Sequence, residues 1–211
     1  MPVSGVLERF LDYWYDLPRG EDGVLPSRSA MKPSNLHDML PRLALLKRLD
    51  RYNVIATMMS TEYDSPWKGP MVGMNAFDLT PANMRENTAA LYSAVLDQPA
   101  AALIRETVRL KTGKSAAVAS LYLPLANSLG APTYIVSCTV YENRPNYHSI
   151  NDRLVLDHQR VRNIEFLDIG AGQPTYMFER PVPRGAEPTD SKWWDRFMPG
   201  KSRADGVRLD A

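Results

Sequence analysis

This chain lacks the features that extracellular, membrane-spanning and nucleic-acid-binding proteins need. Its only cysteine, Cys138, can form neither an internal disulfide nor a cysteine-based zinc site. The 25 lysines and arginines balance 24 aspartates and glutamates, so a net charge of +1 attracts neither nucleic acid nor an acidic membrane. The most apolar run covers residues 43–46, far short of a membrane span of about 18 residues. Glu8, Arg9 and Asp12 interrupt the N-terminal apolar residues, unlike a secretory signal, so we expect a cytoplasmic protein.

Catalytic motifs are also missing. The sequence contains no nucleophile elbow, zinc-protease helix, dinucleotide fingerprint or P-loop. The three histidines, His37, His148 and His158, do not have the spacing of metal ligands, which favours exposed or hydrogen-bonded side chains. Gly170 and Gly172 follow a strand, but nothing around them supports a phosphate site. We therefore predict no catalytic residues, no metal and no cofactor.

What is present begins with an amphipathic helix, predicted over residues 5–17. Apolar side chains recur at three- and four-residue spacing, and charged side chains take the opposite side. The apolar positions are Val6, Leu7, Phe10, Leu11, Trp14 and Leu17. Because so wide a stripe cannot stay in water, the helix must pack on its own domain or on a second copy. If a second copy covers the stripe, Phe10 and Trp14 are the candidate dimerisation residues of a homodimer.

Alternating apolar and polar residues predict strands in the rest of the chain. The predicted strands are 42–49, 52–60, 102–111, 116–125 and 132–142, and the predicted helices are 34–40 and 83–96. Short connections favour antiparallel neighbours, so we expect an α+β fold with a five-stranded antiparallel sheet and helices on one face. A helix or extended arm at 149–162 and another short strand at 163–169 follow.

The bare face of this sheet needs a cover, and the leading helix can supply it. Val118, Tyr122 and Ile135 place apolar patches on the face that we expect this helix to cover.

The chain divides into three parts by composition. Residues 1–33 form the N-terminal helix and a loop, 34–173 form the folded domain, and 174–211 are a proline-rich tail that we expect to be flexible. Within the tail, Trp193 and Trp194 form an aromatic patch, which either docks on a partner or folds back on the domain.

Four strings, in this order, resemble the single-domain PAS family of bacteria, the PAS_5 type. They are LDYWYDL (11–17), LPSRSAMKPSNLHDMLPRLALL (25–46), GMNAFDLTP (73–81) and FLDIGAG (166–172). The similarity covers about residues 5–173, with one departure: a proline-broken segment, 62–71, follows the second strand. The resemblance implies a five-stranded antiparallel sheet that encloses a cavity, a sensory or protein-interaction role, and dimerisation through an N-terminal helix.

A pocket between the sheet and its helices is the expected ligand site. The predicted lining residues are Met58, Trp67, Phe77, Tyr92, Tyr122 and Cys138. Large apolar side chains at such positions also form an ordinary core, and a buried, inert thiol is the better interpretation of Cys138. Buried tyrosines favour a ligand slightly, since each phenol needs a hydrogen-bond partner.

The leading hypothesis is a non-catalytic regulatory PAS module, a cytoplasmic sensor or interaction protein in signalling. Its partners would be a second copy, a separate signalling protein and a small-molecule ligand. The alternative is a small-molecule-binding or enzymatic α+β domain with an internal pocket. Acid–base residues that converge in a cavity would favour the enzyme, and the sequence offers few of them.

Overall fold

A computed structural model describes residues 3–20, 23–60, 71–80, 82–110, 115–142 and 154–176. The predictions for Trp67 and for the Trp193–Trp194 patch lie outside these residues, as does the expected flexibility of residues 177–211.

The described residues form three α-helices and six strands. The helices are α1 (Val3–Asp16), α2 (Ala76–Leu79) and α3 (Arg85–Leu96). The strands are β1 (Leu43–Arg48), β2 (Val54–Met59), β3 (Ala100–Leu110), β4 (Ser115–Ala126), β5 (Pro132–Tyr141) and β6 (Leu154–Asp168). Short 3-10 helices cover Arg28–Ala30, Pro33–Asn35, His37–Arg42 and Ala82–Met84. None of the described helices is long and apolar enough to cross a membrane.

All strands belong to one antiparallel sheet, in the order β2-β1-β5-β4-β3-β6. The predicted α+β fold is confirmed, but in the described residues the sheet has six strands rather than five. The sixth is a single long strand, where the sequence predicted a helix or arm followed by a short strand. Its pairing with β3 contains two register shifts. These shifts disturb the alternation of apolar and polar residues by which a long strand is recognised in the sequence.

Helices cover both faces of the sheet. The apolar stripe of α1 packs on one face and forms a first core with Leu43, Leu121 and Cys138. On the other face α2 and α3 form a second core with Ala102, Ile135 and Phe166. The leading helix therefore covers one face of the sheet, and it does so within the same chain, which is one of the two possibilities that the sequence left open.

The prediction of which face of the sheet lies under α1 was wrong, however. Tyr122 and Ile135 belong to the second core, under α3, and Val118 shares their face of β4. The error arose from the register between β3 and β4. Arg105 lies opposite Ala119, so the polar row of β3 shares a face with α1 rather than with Tyr122.

The C-terminal end of α1 is capped by one arginine. The Arg19 guanidinium donates through Nη1 to the carbonyl oxygens of Tyr15 and Leu17, at 2.7 and 3.1 Å, and lies 4.8 Å from the centre of the Trp14 ring. These bonds satisfy carbonyls that have no partner within the helix. The cap fixes the end of α1 next to its largest buried side chain.

Ion pairs attach both ends of α3 to the β1–β2 hairpin. Near its start, Glu86 accepts from the Tyr52 hydroxyl at 2.5 Å and pairs with Arg51 at 3.3 Å. Beyond its end, Asp97 pairs with Arg48 at 2.5 Å. These contacts hold α3 across the sheet and so define the space beneath it.

Candidate functional site

A patch of hydroxyl groups interrupts the apolar surface of the sheet under α3. In the register of β4 and β5, Tyr122 lies opposite Ser137, and Ser120 lies opposite Thr139. Tyr92 of α3 lies over them, with its ring centre 6.4 Å from that of Tyr122. We call these five residues the hydroxyl patch.

Strand alternation explains why the hydroxyls share one face. Residues two apart in a strand point the same way, so Ser120 faces α3 with Tyr122, and Ser137 faces it with Thr139. The intervening residues, Leu121 and Cys138, face α1 instead. In the middle of β4 and β5 the sequence thus places apolar side chains toward α1 and hydroxyl groups toward α3.

Two of the hydroxyls satisfy each other and two have no such partner. The Ser120 and Thr139 oxygens are 2.8 Å apart and hydrogen-bonded. The side chains of Tyr92 and Ser137 are 8% and 3% exposed, and neither hydroxyl bonds to another described residue. Buried hydroxyls are normally paired, because an unpaired one loses its bonds to water without replacement. Neither hydroxyl oxygen is among the fully enclosed side-chain atoms without a partner, which in the described part of the chain are Ser60 Oγ and Arg162 Nε, so both hydroxyls can still bond to water or to a small molecule.

Aromatic rings line the approach to the patch. The ring centres of Tyr52 and Phe77 are 5.6 Å apart, and those of Phe77 and Tyr92 are 6.0 Å apart, both with edge-to-face geometry. Tyr122 continues this series into the sheet. The series runs from the exposed ring of Tyr52 to the buried interior.

The Tyr92 phenol is kept neutral by its surroundings. Burial raises its pKa above the usual value, and the Glu106 carboxylate raises the pKa further. At neutral pH the hydroxyl therefore keeps its proton and can donate a hydrogen bond.

The structure brings three of the predicted pocket residues together. Phe77, Tyr92 and Tyr122 are consecutive members of the aromatic series beneath α3. Whether they bind a ligand stays a prediction.

Met58 lies on the opposite face, because β2 contains a bulge. The register shifts between Leu45 and Leu46, so that Met58 pairs with Leu45 and packs on the α1 side. Met59 takes its place beside the second core. Met58 therefore cannot line a pocket with Phe77.

Cys138 also lies on the α1 side. It pairs with Leu121 in β4 and is fully buried in the first core, as the interpretation of an enclosed thiol requires. It cannot share a pocket with Tyr92 and Tyr122.

The predicted dimerisation residues are occupied within the chain. Phe10 and Trp14 are 0% and 1% exposed in the first core. A homodimer that used them would have to displace α1. The homodimer itself stays a prediction.

Sequence reasoning missed the serines and the threonine of the hydroxyl patch. A signal was present: Ser120 has the same parity as Tyr122, and Ser137 has the same parity as Thr139. Only the register shows that the two pairs lie side by side.

The N–H groups of the glycine turn after β6 already bind a carboxylate of the same chain, that of Asp168. The backbone N–H groups of Gly170 and Gly172 donate to one carboxylate oxygen of Asp168, at 2.8 and 2.9 Å. That carboxylate takes the donors that a phosphate would need. In the part of the chain that the structure describes, no group of three His, Cys, Asp or Glu side chains could hold a metal ion.

Comparison with protein families gives a match over more than half of the chain. A family model described as PAS domain, of the PAS_5 type, matches residues 4–140. No curated protein matches the chain. The matched segment contains the whole hydroxyl patch, whereas β6 and the residues after it lie beyond it.

Proposed function

The chain belongs to the PAS domain family, and from that premise we propose that it is a non-catalytic sensory module that binds a small molecule at the hydroxyl patch. Membership of this family makes it a sensory or regulatory module. The ligand, the absence of catalysis, the cytoplasmic location and a separate signalling partner are parts of the proposal.

One observation carries the ligand site. The hydroxyls of Tyr92 and Ser137 lie in an interior position without a partner among the described residues, next to aromatic rings. Sites for small molecules combine an apolar lining with a few polar groups in this way.

Native mass spectrometry of the full-length protein, purified from its own cells, tests the site. We expect the wild type to carry a bound small molecule and Ser137→Leu, which places a larger side chain in the patch, to lose it. Ser115→Leu, at an exposed position of β4, should retain it. Retention by a folded Ser137→Leu variant would contradict the site, as would a wild type that carries nothing.

The same sample separates a sensor from an enzyme. A bound molecule that stays chemically unchanged during incubation supports sensing. Its conversion to a product by the wild type, but not by Ser137→Leu, supports the enzymatic alternative.

The homodimer is a separate proposal with its own test. Light scattering at increasing protein concentration should show twice the monomer mass. Since α1 is used within the chain, we expect the mild variant Phe10→Leu to lower stability without changing the association state. A monomer at high concentration would refute the homodimer.

A further inference from the structure

The described side chains around the hydroxyl patch offer no counter-charge for an anion. On the face toward α3, the described side chains of β3, β4 and β5 include no lysine or arginine. Arg48, at the edge, is already paired with Asp97. Among the described side chains of these three strands, the Glu106 carboxylate lies on this face, acts on Tyr92 and repels negative charge. Burial of an ion without a counter-charge costs far more than burial of a neutral group.

A cation finds no vacant carboxylate here either. Glu106 already has an interaction partner of its own, and Asp97 and Glu86 are paired at the two ends of α3. The polar groups that remain for a ligand are neutral hydroxyls.

The surroundings favour a flat ring. Phe77, Tyr92 and Tyr122 present their rings at angles to one another, an arrangement that accepts another aromatic ring edge-to-face or with an offset. The residues opposite Tyr122 and Ser137 in the sheet are small: Ala102 pairs with Tyr122, and Ala44 pairs with Ser137.

The polar partner of such a ring is a hydrogen-bond acceptor. Tyr92 carries a proton at neutral pH, so its hydroxyl donates. The Ser137 hydroxyl can donate or accept. A carbonyl oxygen on the ring would satisfy the first hydroxyl, and an attached N–H group could donate to the second.

From these observations we infer that the hydroxyl patch recognises an uncharged aromatic molecule with a carbonyl-type acceptor, bound through the hydroxyls of Tyr92 and Ser137. The inference rests on the proposed function, since it specifies the ligand of the same site. It names a class of molecule by charge, shape and hydrogen bonding.

Three probes of nearly equal shape test the charge. Benzamide is neutral, benzoate is an anion and benzamidinium is a cation, and ligand-observed NMR or calorimetry with the full-length protein compares their affinities. We expect benzamide to bind about tenfold more tightly than either ion, because benzoate meets no cation on this face and the Glu106 carboxylate already takes part in another interaction. Equal or tighter binding of benzoate or benzamidinium would overturn the inference.

Two conservative variants test the hydrogen bonds. Tyr92→Phe and Ser137→Ala each remove one hydroxyl, and each should weaken benzamide binding about threefold to tenfold. Ser115→Ala removes a hydroxyl from the exposed start of β4, away from the aromatic series, and should leave the affinity unchanged. Unchanged affinity in Tyr92→Phe, with the melting temperature retained, would refute the assigned role of its hydroxyl.

The result also separates this inference from the proposed function. If none of the probes binds, while the wild type retains a native molecule that Ser137→Leu loses, the ligand class is wrong and the sensory site stands. If no native molecule is retained and no probe binds, both fail. A retained molecule that proves to be a neutral aromatic carbonyl compound would support both.

Discussion

The indole Nε1 of Trp14 donates a hydrogen bond to the main-chain carbonyl oxygen of Pro124, 2.9 Å away in the buried interior. This bond joins the first helix to the C-terminal end of β4, 110 positions along the chain. The donor and the acceptor are both shielded from water, so neither could regain a bond there if the other were removed. A single contact thus combines apolar burial with a polar constraint on where α1 sits.

The variant Trp14→Phe should destabilise the fold by about 2–4 kcal/mol. The smaller ring leaves a cavity, and the Pro124 carbonyl loses its partner. Urea unfolding followed by circular dichroism measures the loss. Arg9→Gln, on the exposed side of the same helix, breaks an ion pair with Asp38 and should cost less than about 1 kcal/mol. Equal losses in the two variants would show that the buried contact contributes little.

Local periodicity was enough to predict most elements. The three- and four-residue spacing of Phe10, Trp14 and their neighbours identified α1, because an apolar stripe on a helix must be buried. Strand alternation likewise identified the first five strands. Both patterns reflect which face of one element meets the interior, and a single segment contains that information.

Relationships between strands could not be read in the same way. The position of Arg105 relative to Ala119 depends on a register that no single segment encodes. The bulge in β2 moves Met58 to the other face, although the two-residue spacing of Val54, Ala56 and Met58 is typical of one common face in a regular strand. The hydroxyl patch was missed for this reason: its members come from two strands and a helix.

Cys138 should resist modification in the folded protein. Its side chain is fully buried between the sheet and α1, so a reagent reaches the thiol only when the structure opens. Labelling with a chromogenic disulfide should be about a thousandfold slower in native buffer than in urea. Cys138→Ala, which must show no labelling in either solvent, confirms the assignment. Rapid stoichiometric labelling of the native protein would show that α1 leaves the sheet easily.

The buried tyrosine of the hydroxyl patch makes stability depend on alkaline pH. The pKa of Tyr92 is raised in the folded state, so its contribution is complete below the unfolded pKa near 10 and declines as pH rises above that value. In that range the unfolded chain loses the phenolic proton while the folded chain retains it. Above pH 10 the free energy of unfolding of Tyr92→Phe should therefore fall less steeply than that of the wild type, by about 1.4 kcal/mol per pH unit.

A variant without a phenol provides the comparison. Phe77→Leu disturbs the same aromatic series and should lower stability at every pH without changing its slope above pH 10. Tyr176, whose pKa burial also raises, contributes a similar slope that remains in both variants. An identical slope in the wild type and Tyr92→Phe would contradict the prediction.

Tyr176 attaches the segment after β6 to α3. Its hydroxyl donates to the Asn87 carbonyl oxygen at 2.8 Å, and its ring lies 5.6 Å from that of Phe166. Tyr176→Phe should cost about 1 kcal/mol and Tyr176→Ala about 3 kcal/mol, since the second also exposes the core. Chemical denaturation measures both, with the exposed Thr175→Ala expected within about 0.5 kcal/mol of the wild type. Wild-type stability of Tyr176→Ala would show that this segment does not belong to the folded domain.

Four charged side chains form a connected network on the α1 face, where β3, β6 and the end of β5 meet. Arg105 donates to Glu165 at 2.8 Å and lies 3.5 Å from Glu142, which also pairs with Arg162. Arg105 and Glu165 are 6% and 8% exposed. A carboxylate buried in this way depends on its cation, because water cannot replace the lost partner.

Replacement of Arg105 alone should therefore be more harmful than replacement of a pair. Arg105→Met leaves Glu165 and Glu142 without this cation and should cost about 3–5 kcal/mol, whereas Arg105→Met with Glu165→Leu should recover part of that loss. A double-mutant cycle of unfolding free energies measures the coupling. The exposed pair Arg9–Asp38 should couple by less than about 1 kcal/mol and weaken in salt. Similar coupling in both pairs would mean that water reaches the network and that β6 is held by its backbone pairing with β3.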